Sequence, residues 1–119
     1  MSGNSPVGRG WKAFFWAAAT YNIVIGLDAF LDASWGSPDA VGAVLIFCFG
    51  IVYALVAHDP RRFAPVLVAG IVGKGMVIAM LAPQNWFGNG EAAIGLIVAG
   101  DLLFALGFAW FLMTERRNA

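Results

Sequence analysis

Four long apolar runs separated by short polar punctuation make up most of the chain. The first extends from about Trp11 to Ala33 and stops at Ser34-Trp35-Gly36. The second opens at Ser37-Pro38-Asp39 and ends near His58. There Ser37 can cap a helix, Pro38 suits its first position, where no amide hydrogen is missed, and Asp39 complements the positive end of the dipole. Asp59-Pro60 repeats the device and opens the third run, which the pattern carries to about Ala82, ahead of Pro83-Gln84-Asn85. After a loop rich in Gly and Asn, the fourth run covers about Glu91 to Thr114.

A hydrocarbon core about 30 Å thick takes about 20 apolar residues per helix, so each run is long enough to cross it. The predicted fold is an all-α polytopic membrane protein with four transmembrane helices, over about 11–33, 38–58, 60–82 and 91–114. Short connections make consecutive helices antiparallel neighbours in a single bundle. Residues 1–10 read as a disordered lead and 115–119 as a short tail. Arg9 and Lys12 ahead of the first run also fit a cleaved signal peptide. Against this, the stretch from Ala13 to Leu31 exceeds a signal core of about 7–15 residues, and three further runs follow.

Composition agrees with the pattern. Of 119 residues, 61% are hydrophobic and 12% charged, where soluble domains have about 45–50% and about 25%. Four spans leave no room in this sequence for a soluble catalytic domain, and a net charge of zero removes the electrostatic case for nucleic acid. The expected surroundings are the lipid bilayer. Cys48 is the single cysteine, so no internal disulfide can form.

Basic residues favour the cytoplasmic side of short loops. Arg9 and Lys12 precede the first run, Arg61 and Arg62 lie between the second and third, and Arg116 and Arg117 follow the fourth. The other two loops hold neither Lys nor Arg, which predicts both termini on the cytoplasmic side. The aromatic belt matches, with Trp11, Trp16 and Trp110 near the inner boundary and Trp35 and Trp86 near the outer one.

Lys74 belongs to no loop. It stands in Gly70-Ile71-Val72-Gly73-Lys74-Gly75-Met76, well inside the third run. A central Lys or Asp costs about 2.5–3.5 kcal/mol to insert, so such groups face the bundle and find partners. Counting inward at about 1.5 Å per residue puts Lys74 about 12 Å deep, Asp101 on the fourth run about 15 Å deep, and Asp28 on the first about 8–9 Å deep. Lys74 and Asp101 are therefore expected to meet, and Asp28 to approach them. Two carboxylates beside one ammonium would leave surplus negative charge in a poorly solvated place, which favours uptake of a proton. Tyr21, Asp28 and Asp32, seven and four residues apart, share one helical face and form a ladder toward the outer surface. Asn22 is offset by about 100° from Tyr21 and so faces a neighbouring helix.

The other polar residues read more plainly. Gly42, Gly50, Gly70, Gly73, Gly75, Gly95, Gly100 and Gly107 are expected to let helices approach closely. The GxxGKG string is no phosphate loop, because that motif needs a preceding strand, a wider glycine spacing and a Ser or Thr after the lysine. His58 lacks further ligands at metal-binding spacing and reads as a turn residue. Tyr53, about one turn from the inner end of its run, reads as a packed or interfacial tyrosine, while Asp39 and Glu91 read as first-turn helix charges. The pattern calls for no metal and no cofactor.

Tyr21-Asn22 with Gly26, Tyr53, Ala57 with Asp59-Pro60 and Arg62, Gly73-Lys74 and Asp101-Leu102 together resemble a group of small four-helix bacterial inner-membrane proteins. In that group an asparagine precedes the last aspartate, where this chain has Gly100. The resemblance implies the architecture and marks these positions, but it names no reaction. Multidrug transporters of similar length carry a glutamate early in the first span, and fluoride channels a serine- and phenylalanine-rich centre. Neither pattern occurs here. A retinal-type lysine with an aspartate counterion would match Lys74 and Asp101 chemically, but four helices are too few for the pocket.

Three functional classes follow. One is a scaffold or accessory subunit of a homo-oligomer or larger membrane complex, with the buried charges fixing helix register. The second is a channel or transporter for protons, ions or a small solute, using Asp28, Lys74 and Asp101 as relay or gate. The third is an enzyme on a lipid-soluble substrate, with Lys74 or an aspartate as acid or base and Tyr21 as a donor.

Overall fold

The computed structural model describes residues 8–114; the predicted tail at 115–119, with Arg116 and Arg117, and most of the predicted lead at 1–10 lie outside them. Among the described residues the chain is helical, without strands. The order is α1 (Arg9–Asp32), α2 (Pro38–His58), α3 (Pro60–Phe63), a 3-10 turn (Ala64–Val66), α4 (Leu67–Trp86) and α5 (Ala92–Thr114). Four helical stretches are long and apolar enough to cross a membrane: Arg9–Asp32, Pro38–His58, Pro60–Trp86 and Ala92–Thr114. Many large apolar side chains are exposed, among them Leu31, Leu45, Met80, Leu96 and Leu103, while Asn22 and Lys74 are buried. Polar groups inside and apolar groups outside is the arrangement that lipid requires, since water would penalise the exposed apolar area at about 25 cal/mol per Å².

The chain forms two compact units, divided between Ala64 and Pro65. In the first, α1 and α2 form an antiparallel hairpin. Ala33 ends α1 in an extended conformation, Gly36 turns the chain with φ of 82°, and the Ser37 hydroxyl accepts a hydrogen bond from the Ala40 amide at 3.2 Å. This is the cap that Ser37-Pro38-Asp39 predicts. Phe15, Ala18, Ala19, Asn22 and Gly26 are the buried residues of α1, and its seam with α2 includes Ala19, Asn22, Ile23 and Gly26.

Small residues on that seam bring the two backbones together. A Cβ on Gly26 would stand 2.5 Å from the Phe47 amide nitrogen, and one on Gly50 would stand 2.9 Å from the Ile23 nitrogen and 3.0 Å from the Ala19 carbonyl oxygen. Neither position admits a side chain without displacing a helix. Gly95 likewise meets the expectation of close approach, since an added Cβ would stand 2.8 Å from the Asn85 carbonyl oxygen, but at Gly42, Gly73 and Gly75 it would meet nothing within 4 Å.

In the second unit α4 and α5 form an antiparallel hairpin. The third membrane-length helix runs past Ala82, where the sequence pattern ends it, as far as Trp86. Pro83 withholds only its own amide, and the backbone continues, with the Phe87 amide donating to the Pro83 carbonyl at 3.1 Å. Asn85 then organises the turn, since its Nδ2 donates to the Leu81 carbonyl at 2.7 Å and its Oδ1 accepts from the Glu91 amide at 2.8 Å. Glu91 precedes α5 rather than opening it, and its carbonyl accepts from the Gly95 amide at 3.0 Å. Trp86 Nε1 donates to the Gly95 carbonyl at 2.8 Å, closing the turn end of the hairpin.

Candidate functional site

The second unit buries an ion pair. Lys74 Nζ donates to Asp101 Oδ1 at 2.7 Å, with the side chains 7% and 13% exposed. It is the one salt bridge among the described residues. From the turn α4 and α5 run antiparallel, with Lys74 twelve residues before Trp86 and Asp101 six after Gly95. The Phe104 ring lies 5.8 Å from Nζ, because positions 101 and 104 share a face of α5. The ammonium thus has a carboxylate on one side and an aromatic face on another.

Among its described residues the first unit shows no such pair between α1 and α2. Its buried polar group is Asn22, whose Nδ2 donates to the Ile46 carbonyl of α2 at 3.1 Å. That carbonyl belongs to the helix turn ending at Gly50, where a missing Cβ leaves the oxygen open to a second donor. The 100° offset from Tyr21 read in the sequence therefore does point Asn22 at the neighbouring helix. Tyr53 is buried on α2 with its ring 6.0 Å from Phe49, and Tyr21 is half-buried.

Asp28 and Asp32 are exposed, and neither joins an ion pair among the described residues. Two residues past Gly26 is about 200° round the helix, so packing Gly26 on Phe47 turns Asp28 away from that seam. His58 is exposed at the end of α2, and the described residues hold no cluster of His, Cys, Asp or Glu able to bind a metal.

Comparison with protein-family models, curated proteins and solved structures finds no match. Directly paired at 2.7 Å, Lys74 and Asp101 can hold two helices in register, and they can also exchange a proton. The sequence reading missed three contributors. Phe104 was legible from its three-residue spacing from Asp101. Asn85 and Trp86 were not, because their partners are backbone carbonyls and amides, which every sequence offers.

Proposed function

We propose that this multi-pass protein is a small scaffold or accessory subunit of a bacterial inner membrane, acting in a homo-oligomer or larger complex with both termini cytoplasmic. Lys74 and Asp101 serve it as a register lock. The observation that carries this reading is the direct, nearly buried ion pair between neighbouring helices. A carboxylate already joined to the ammonium holds each helix at one depth, because sliding by a turn would leave two unpaired charges in lipid. Exposed apolar side chains along all four spanning helices supply surface for lipid and for neighbouring subunits. The arginines and lysine at one end of the first hairpin, and acids alone at its other end, support the orientation.

A proton or ion channel is the second reading, favoured by the same buried pair of titratable groups. The double variant Lys74→Met with Asp101→Leu separates them. A register lock leaves assembly intact when both charges are replaced by apolar groups of similar size, whereas a relay loses flux. The measurement is size-exclusion behaviour in detergent beside proton flux in liposomes. Wild-type flux that disappears in the double variant would overturn the scaffold reading.

A further inference from the structure

The first hairpin is charged against its own helix dipoles. α1 opens with Gly8 as a cap that offers no side chain, has no acid in its first turn, and carries Arg9 and Lys12 there. Its last two turns hold Asp28 and Asp32, with no base in the last turn. Each end of α1 therefore bears the sign that the dipole disfavours. α2, by contrast, follows the rule, with Ser37 and Asp39 at its start.

The register of the hairpin adds to the charge at the α1 start. Gly26 packs on Phe47, Ala19 and Ile23 on Gly50, and Asn22 reaches Ile46, so paired residue numbers sum to 68–73. Continuing that register puts Lys12 level with about residues 56–61 and Arg9 level with about 59–64. Arg61 and Arg62 lie in that interval, on the short helix α3 rather than in an open loop. Four cations thus gather at one end of the hairpin, against Asp59 alone, while the other end has Asp28, Asp32 and Asp39 and no base. Aromatic rings accompany the cations. Trp11 stacks on Phe15 at 6.0 Å and meets Phe14 edge-on at 5.8 Å, and the Arg62 guanidinium lies 5.3 Å from the Phe63 ring centre.

We infer that this end of the hairpin binds the phosphate of an anionic phospholipid headgroup through Arg9, Lys12, Arg61 and Arg62. A spanning helix ends at headgroup level, where tryptophan and basic side chains reside, and a cluster of cations beside a span attracts anionic lipid. Arg9, Lys12 and Arg62 are exposed and Arg61 is half-buried. The headgroup supplies the negative charge that the first turn of α1 lacks, and the rings accept the glycerol and upper acyl carbons. This inference needs only the membrane placement, not the register lock, so the Lys74→Met with Asp101→Leu variant should bind the lipid as wild type does.

The test is native mass spectrometry of the full chain released from nanodiscs of equimolar phosphatidylglycerol and phosphatidylcholine. Wild type should retain phosphatidylglycerol in preference, and each charge removed should weaken the preference on the order of fivefold. The variant with Arg9, Lys12, Arg61 and Arg62 all changed to Gln should show parity, and Asp28→Asn with Asp32→Asn and Asp39→Asn should keep the preference. For wild type alone, the preference should collapse in about 1 M salt, where the screening length falls to about 3 Å. Inorganic phosphate in place of phosphatidylglycerol should not raise the thermal stability in phosphatidylcholine nanodiscs. Wild-type parity, a preference that survives the four Gln changes or the salt, or equal protection by inorganic phosphate would each overturn the assignment.

Discussion

The two hairpins are antiparallel helix pairs of similar length, yet opposite chemistry holds each in register. α1 and α2 meet through glycines and a neutral asparagine, with backbone against backbone at Gly26 and Gly50. α4 and α5 meet through a full charge pair, and the glycines beside Lys74 touch nothing. The difference is one of tolerance. A close-packed seam loses stability when anything is added to it, whereas an ion pair loses most when one half is taken away.

Removing Lys74 alone should therefore give the largest loss. Lys74→Met leaves the Asp101 carboxylate nearly buried without its cation, a situation that costs about 3–5 kcal/mol in buried pairs. Asp101→Leu should cost a similar amount. The double variant should recover most of the loss, since it removes both desolvated charges. Unfolding by denaturant in mixed micelles measures all three, and a double variant no better than the sum of the singles would show that the two charges are not coupled.

Next in size are the additions to the first seam. Gly26→Ala and Gly50→Ala each place a methyl against backbone atoms at about 3 Å or less, so the helices must separate. Overpacking of this kind costs about 1–3 kcal/mol. Separation also lengthens the bond from Asn22 to the Ile46 carbonyl, so the effects of Gly50→Ala and Asn22→Leu should be less than additive. Additive losses would mean that the asparagine and the glycine act separately.

Much of this contrast was legible in the sequence because it depends on depth and on angle. Counted from the run ends that the pattern sets, Ala82 and Glu91, Lys74 and Asp101 lie eight and ten residues in, and Asn22 is 100° from the Tyr21 face, so spacing suggests a neighbour for each. The cap at Ser37-Pro38-Asp39 was equally local. Rotation about the helix axis was not legible for Asp28, since a seam of Ala and Gly leaves little periodic signal in a helix that is apolar on all sides. For the same reason the sequence offered eight glycines as packing sites without distinguishing Gly50, which meets a backbone, from Gly42, which meets open space. The end of α4 was missed because Pro83 was read as a stop, whereas the helical hydrogen bonds continue past it to the Phe87 amide.

Asn22→Leu should cost less than either glycine change. Hydrogen bonds between membrane helices average about 0.6 kcal/mol and reach about 1.7, because the unfolded chain in lipid finds other partners. The ratio to Lys74→Met sharpens the comparison, since a neutral group left unpaired costs far less than a charge. If Asn22→Leu were as damaging as Lys74→Met in the same micelles, the first hairpin would depend on its polar bond rather than on its glycines.

The smallest change should come from Gly73→Ala and Gly75→Ala. Each adds a methyl to an exposed helix position with nothing within 4 Å, so the isolated chain should gain about 0.5 kcal/mol from the lower backbone entropy of alanine. These substitutions flank Lys74 without touching its ion pair, which makes them a control for Lys74→Met. They also report on assembly. In dilute micelles the gain should hold, but if another copy packs its helix on this face at high protein density, the added methyls will meet it and the sign will reverse. A concentration-dependent reversal would thus link the unoccupied side of α4 to the oligomer, and a constant gain would leave that surface to lipid.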